Sequence, residues 1–120
     1  MARILAVDDS VAMRQMVGLT LTGAGHQVEQ ASDGCEALQM ASRTKFDLVI
    51  TDVNMPRMDG ITLVRELRNL ASYKYVPMLV LTTEATAQRK QEGKAAGATG
   101  WLVKPFNPER LLATIARVLG

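Results

Sequence analysis

The fold of this chain is decided by a short apolar run that ends in two acidic residues, Ile4-Leu5-Ala6-Val7-Asp8-Asp9. A continuous apolar run of this length is typical of a strand that is buried on both faces of a parallel sheet. Similar runs recur at Leu48 to Ile50, Met78 to Leu81 and Trp101 to Val103, and a weaker, more polar one surrounds Val28. The sequence therefore predicts five strands, with the polar one at an edge of the sheet.

Helical periodicity fills the segments between these runs. Apolar stripes cover residues 13–21, 63–71 and 111–119, and the first of them includes Met16. Local signals agree with these helices, because Asp33 is a candidate N-cap and Asn107 stands directly before Pro108 at the predicted start of the last helix. An order of strand then helix, repeated five times with right-handed crossovers, predicts a doubly wound parallel sheet with helices on both faces.

The composition suits one globular domain spanning residues 1–120. The formal net charge is only +2, and the Lys and Arg residues form no continuous run, so we expect no nucleic-acid binding. No stretch reaches the roughly 18 apolar residues of a spanning helix, and the pattern of a signal peptide is missing. We therefore expect a cytoplasmic protein without membrane insertion. Cys35 is the only cysteine, which excludes an intramolecular disulfide.

Polar residues follow four of the predicted strands directly. They are Asp8 and Asp9 after the first strand, Thr51 and Asp52 at the end of the third, Thr82 and Thr83 after the fourth, and Lys104 with Pro105 after the fifth. Ligands of open α/β sheets bind outside the carboxyl ends of the strands, so we expect these side chains to converge. Considered alone, Asp8 or Asp9 would be an ordinary turn or helix-cap residue.

The converging carboxylates point to a metal and to phosphoryl chemistry. Three carboxylates at adjacent strand ends repel one another, and a hard divalent cation with oxygen ligands would compensate for that repulsion. Mg²⁺ fits best, because it needs only one or two carboxylates and keeps several waters. With a metal and a lysine to neutralise its oxygens, a phosphoryl group could be transferred to a carboxylate nucleophile, for which Asp52 is the central candidate.

Four motifs in order resemble those of two-component response regulator receiver domains of the CheY-like chemotaxis type. They are Val7-Asp8-Asp9-Ser10, Asp52-Val53-Asn54-Met55-Pro56, Leu81-Thr82-Thr83-Glu84-Ala85 and Gly100-Trp101-Leu102-Val103-Lys104-Pro105-Phe106. The resemblance spans the whole chain. It implies a single receiver domain with a flavodoxin-like (βα)5 fold and the strand order 2-1-3-4-5.

The resemblance also assigns roles in the site. Asp52 would be the phosphoacceptor, and Mg²⁺ would be held by Asp8, Asp9, Asp52 and the backbone carbonyl of Asn54. Thr82 and Lys104 would bind the phosphoryl oxygens, and the peptide bond between Lys104 and Pro105 would be cis.

A switch and its tuning residues follow from the same resemblance. Thr82 and Trp101 would form the switch, in which the aromatic side chain turns inward when the threonine moves toward the phosphoryl group. Asn54 and Glu84, two positions beyond the aspartate and the threonine, would tune the rate of dephosphorylation.

The fourth helix is expected to be weakly anchored and to contribute to a partner face. Its predicted segment, Thr86 to Ala96, has only alanines as apolar residues and contains Gly93, which is unfavourable in a helix by about 1 kcal/mol relative to alanine. The predicted partner face consists of Arg89, Lys90, Lys94 and Trp101, and its basic residues favour an acidic partner segment.

The function predicted from the sequence is that of a single-domain response regulator, monomeric and with no output domain after Gly120. A histidine kinase would supply the phosphoryl group, and the target would be a protein such as a flagellar motor switch component. The chain would be no enzyme beyond its own phosphorylation and dephosphorylation.

Three alternatives stay open at this point. A phosphate sink or shuttle in a phosphorelay would use the same site. An Mg²⁺-dependent phosphohydrolase with an aspartate nucleophile is disfavoured, because Asn54 stands where such enzymes carry a second aspartate. A flavin mononucleotide carrier is disfavoured because the chain has only five aromatic residues and no hydroxyl-rich loop after the first strand.

Overall fold

The structure, a computed structural model, describes all 120 residues as a five-stranded parallel sheet flanked by five α-helices. The elements in chain order are β1 (Arg3–Val7), α1 (Val11–Gly23), β2 (Gln27–Ala31), α2 (Gly34–Arg43), β3 (Leu48–Thr51), α3 (Gly60–Arg68), a 3₁₀ turn (Ala71–Tyr73), β4 (Met78–Thr82), α4 (Ala87–Ala96), β5 (Gly100–Val103) and α5 (Pro108–Leu119). The strand order β2-β1-β3-β4-β5 confirms the predicted fold class.

Successive side chains along a strand point to opposite faces of the sheet, and each face has its own hydrophobic core. Leu5 and Val7 of β1 join a cluster of 17 buried residues on the side of α2 and α3. Ile4 and Ala6 of the same strand join a cluster of 11 buried residues on the side of α1 and α5. Each fully buried aliphatic side chain contributes about 1.5–3 kcal/mol relative to exposure, so both helix layers are held against the sheet mainly by apolar burial.

The predicted helix starts are confirmed by their caps. Asp33 Oδ1 accepts a hydrogen bond from the Glu36 amide at 2.9 Å, and Asn107 Oδ1 accepts one from the Arg110 amide at 3.0 Å. These side chains satisfy amide groups that have no partner in the first helical turn.

The expectation that Met16 belongs to a buried stripe of α1 is wrong, because this side chain is 53% exposed. The buried residues of α1 are Val17, Gly18 and Leu21. The neighbouring edge strand β2 is polar and mostly exposed, so no apolar surface extends far enough to cover Met16.

Helix α4 is anchored as weakly as its composition predicts. Gly93 and Ala96 are its only buried residues. It ends at Gly97, whose φ of 114° is the left-handed conformation that favours glycine. No helix of the structure combines the length and the apolar character that a membrane crossing requires.

Candidate metal and phosphoryl site

The three predicted carboxylates come together at the carboxyl ends of the adjacent strands β1 and β3. One carboxylate oxygen from each of Asp8, Asp9 and Asp52 lies within 4.8 Å of the other two. Asp8 and Asp52 are buried, whereas Asp9 is exposed. Two buried carboxylates this close repel each other, and a positive charge beside them offsets that repulsion.

Lys104 supplies that charge from the end of β5. Its Nζ atom lies 2.6 Å from Asp8 Oδ2 and 3.0 Å from Asp52 Oδ2. Burial disfavours the charged ammonium, but its hydrogen bonds to Asp8 and Asp52 outweigh that cost, and the pKa of Lys104 lies above its ordinary value. The lysine therefore stays charged at neutral pH. The Lys104–Pro105 peptide bond is cis, as the resemblance in motifs implied.

The two buried carboxylates are oriented in the same way. Asp8 Oδ1 accepts a hydrogen bond from the Ser10 amide at 2.9 Å, and Asp52 Oδ1 accepts one from the Val53 amide at 2.7 Å. In each residue one oxygen faces the local backbone and the other faces Lys104. Each carboxylate oxygen has two lone pairs, so acceptor capacity remains for a further ligand.

The donor set fits a magnesium ion. All the candidate side-chain ligands are hard carboxylate oxygens, and exposed Asp9 leaves the cluster open to water on one side. The charges of Lys104 and of Arg14, whose guanidinium contacts the Asp8 carbonyl, do not balance three carboxylates, so the cluster keeps a net negative charge that a divalent cation would offset. Asn54, the predicted carbonyl ligand, lies in the loop after Asp52 and is exposed.

A chain of hydrogen bonds connects the end of β4 to β5 through Glu84. The Glu84 amide donates to the fully buried Thr82 hydroxyl at 3.2 Å, and the Glu84 carbonyl accepts from Trp101 Nε1 at 2.9 Å. The half-buried indole lies against Gly93 of α4, where an added Cβ would stand only 2.6 Å from the ring. The predicted switch residues are therefore joined to each other and to α4.

Comparison with known proteins identifies the family. The sequence model of the response regulator receiver domain family matches residues 4–116 of this chain. The chain belongs to this family. Receiver domains are components of phosphorylation-based two-component signalling, and the predicted family is thereby confirmed.

The relatives of this receiver domain include a chemotaxis protein and a longer response regulator. The chemotaxis protein CheY4 of Vibrio cholerae is 58% identical, with 98% of each chain covered and a TM-score of 0.94. The response regulator MprA of Mycobacterium leprae is 44% identical over 117 residues, which are 98% of this chain and 50% of MprA. The chain thus spans about half the length of the curated MprA relatives that it matches.

A third relative has a magnesium ion in its structure. The receiver domain of the sensor histidine kinase PA1611 from Pseudomonas aeruginosa is 28% identical, with 99% of this chain and 98% of that chain covered and a TM-score of 0.93. Its structure has a magnesium ion coordinated in the active site cleft.

The three basic residues of the predicted partner face are not equally free of ion pairs. Arg89 forms an ion pair with Glu92 at 2.5 Å and is partly buried. Lys90 and Lys94 are exposed on α4 and form no ion pair. The two lysines are therefore the exposed, unpaired charges of this predicted face.

Two basic residues make contacts that the sequence did not indicate, Arg14 beside the site and Arg57 in the loop that follows Asp52. Arg14 Nη1 donates to the backbone carbonyl of Asp8 at 2.5 Å. Arg57 forms an ion pair with Asp33, which the sequence identified only as a helix cap. An N-cap aspartate and an exposed loop arginine are common as separate features, so no local pattern could have indicated that they meet across 24 residues of sequence.

Proposed function

We propose that this receiver domain accepts a phosphoryl group from a histidine kinase onto Asp52, in a reaction that depends on Mg²⁺, and signals by phosphorylation-dependent protein binding. The observation that carries this proposal is the contact between the Asp52 carboxylate and the Lys104 ammonium group at 3.0 Å, inside a cluster of three carboxylates. We take residues 1–120 as one receiver unit.

The chain's own residues supply the nucleophile and its orientation. An Asp52 carboxylate oxygen attacks the phosphorus, a new O–P bond forms, and the P–N bond to the kinase imidazole breaks with return of its electron pair to the ring nitrogen. The Val53 amide holds the second Asp52 oxygen and so fixes the rotation of the carboxylate. Lys104 offsets negative charge on the transferred oxygens, and the Thr82 hydroxyl is proposed to donate to one of them.

Asp8, Asp9, Asp52 and the Asn54 carbonyl are the proposed metal ligands. Bound Mg²⁺ would supply charge neutralisation at the phosphoryl oxygens and at the crowded carboxylates. The magnesium ion in the related PA1611 receiver domain supports this assignment.

Chemotaxis or flagellar motor control is the proposed setting. The chain and CheY4 cover 98% of each other at 58% identity, whereas MprA extends to twice the matched length. The proposed target, such as a motor switch component, would dock on the face formed by Arg89, Lys90, Lys94 and Trp101. Exposed Lys90 and Lys94 favour an acidic segment there. A phosphate sink or shuttle is the alternative setting for the same chemistry.

The proposed chemistry is tested by labelling with acetyl phosphate and Mg²⁺. Acid-labile phosphate should appear on the unmodified protein, disappear in Asp52→Asn and persist in Asp47→Asn. Asp47 is a suitable control because it is exposed and contacts the amide of Arg3, at the opposite end of β1 from the site. Equal labelling of the unmodified protein and Asp52→Asn would refute the assignment of the phosphoacceptor.

A further inference from the structure

The loop between β3 and α3 contains the only residue other than glycine with a positive φ. Arg57 has a φ of 67°, and the Met58 amide donates to the Pro56 carbonyl across it at 2.8 Å. A three-residue turn with a positive central φ is rare and strained for a residue with a side chain. Such a conformation persists only where surrounding contacts hold it.

Asp33 provides the contact that holds Arg57. Both Nη2 and Nε of Arg57 donate to Asp33 Oδ2, the latter at 3.1 Å. Asp33 is 1% exposed, and its other oxygen is bound to the Glu36 amide at the start of α2. The carboxylate is thus fixed by the helix, and it fixes the guanidinium in turn. Most of the Arg57 side chain is exposed, so this ion pair is its principal attachment.

The main chain of the loop also touches α2 directly. The Gly34 amide donates to the Met58 carbonyl at 3.2 Å, and a Cβ on Gly34 would stand 2.6 Å from that oxygen. At its other end the loop is closed by a hydrogen bond from the Gly60 amide to the Val53 carbonyl at 2.9 Å.

Asn54 lies between these two attachments and makes no hydrogen bond of its own. Its position therefore depends on Val53 on one side, and on the other side on Met55, which packs against the core, and on the turn at Arg57. If the turn relaxed, the segment that carries the Asn54 carbonyl would lose its support on that side beyond the packing of Met55.

We infer that Arg57 is a positioning residue of the phosphorylation site, which through Asp33 keeps the Asn54 carbonyl where it can bind the metal. The inference rests on the proposed Mg²⁺-dependent function. It makes the start of α2 part of the support of the metal site, although α2 contributes no ligand.

The test measures Mg²⁺ binding by titration calorimetry in the full chain, together with the Mg²⁺ dependence of labelling by acetyl phosphate. Arg57→Gln and Asp33→Asn should each weaken Mg²⁺ binding roughly tenfold. Loss of a residue that orients a metal ligand typically lowers metal affinity by about 10- to 100-fold, and we expect the lower value here. The double variant should bind Mg²⁺ no more weakly than either single variant, because both changes break the same ion pair.

Saturating Mg²⁺ should restore the labelling rate of the variants, which separates ligand positioning from damage to the nucleophile. Arg65→Gln, at an exposed arginine of α3, is the matched control and should bind Mg²⁺ normally.

The outcomes separate this inference from the proposed function. Normal Mg²⁺ affinity in Arg57→Gln, beside clear binding by the unmodified protein, would overturn the inference and leave the proposed function intact. Failure of the unmodified protein to bind Mg²⁺ would overturn both. If Asp33→Asn does not fold, as judged by circular dichroism, Arg57→Gln alone decides, because truncation of an exposed side chain leaves the core unchanged.

Discussion

The indole N–H of Trp101 donates a hydrogen bond to the main-chain carbonyl of Glu84 across 2.9 Å. The amide of the same residue is bound to the Thr82 hydroxyl, so one intervening residue connects Thr82 to Trp101, and the proposed movement of Thr82 would reach Trp101 through it. Gly93 makes room for the large ring, since any side chain there would overlap it. The link joins the end of β4, the strand β5 and the weakly buried helix α4.

Trp101 fluorescence should report on this link, because it is the only tryptophan of the chain. Beryllium fluoride with Mg²⁺ imitates a phosphorylated aspartate. Attraction of the Thr82 hydroxyl to the fluoride should draw Glu84 and the half-buried indole inward. Burial of the indole, worth roughly 25 cal/mol per Å² of apolar surface, should couple the movement of Trp101 to the binding of beryllium fluoride by about 1 kcal/mol. We expect a blue shift of the emission and weaker iodide quenching.

The same measurement has two controls. Both changes should be absent in Asp52→Asn and reduced in Thr82→Ala, which lacks the hydroxyl. An emission spectrum and quenching constant that do not change, in protein shown separately to bind beryllium fluoride, would mean that Trp101 is a fixed core residue.

Magnesium should raise the melting temperature of the protein. Lys104 balances only part of the negative charge of Asp8, Asp9 and Asp52, and a bound cation would offset the rest. At a free concentration 100 times the Kd the expected gain in unfolding free energy is about 2.7 kcal/mol. Thermal unfolding in EDTA and in millimolar Mg²⁺ measures it. Asp9→Asn should lose most of the gain and Asp47→Asn should keep it, whereas equal melting temperatures with and without Mg²⁺ would argue against the metal site.

Asn54 and Glu84 should control the lifetime of the phosphorylated protein. Both are polar and accessible to solvent, so they can position the water that attacks the phosphorus. Asn54→Met and Glu84→Leu should each lengthen the lifetime, measured as the decay of acid-labile label after removal of the donor. Decay rates equal to that of the unmodified protein would show that water is positioned by other groups.

The ion pair between Asp33 and Arg57 should make stability depend on acid pH. The hydrogen bond from the Glu36 amide, followed by that from Arg57, holds the pKa of Asp33 below its ordinary value. Because the unfolded chain then takes up a proton more readily than the folded one, the stabilisation is present above about pH 4 and is lost as the pH falls through the lowered pKa.

Urea unfolding of the unmodified protein and Asp33→Asn at pH 7 and pH 3 measures this contribution. Asparagine keeps the helix cap and removes the charge. The variant should be less stable at pH 7, and the difference should shrink at pH 3. A difference of the same size at both pH values would assign it to packing rather than to the ion pair.

Much of the fold and of the site was predictable from local sequence. Apolar runs specify strands that are buried on both faces, and their parallel arrangement brings all the carboxyl ends to one edge of the sheet. The convergence of Asp8, Asp52 and Lys104 follows from that topology, although Asp8 and Lys104 are 96 residues apart in sequence. The cap at Asp33 was readable for the same local reason, because a helix start constrains only its first turn.

Contacts between loops were decided only by the tertiary structure. The ion pair of Arg57 with Asp33, the hydrogen bond of Trp101 to Glu84 and the close approach of the indole to Gly93 each join segments that no periodicity relates. Met16 illustrates the same limit, since its exposure depends on how far the neighbouring surface extends. A local pattern reports the burial and backbone preference of its own element, whereas such contacts depend on loop conformation and side-chain rotamers, which are settled only when the whole chain packs.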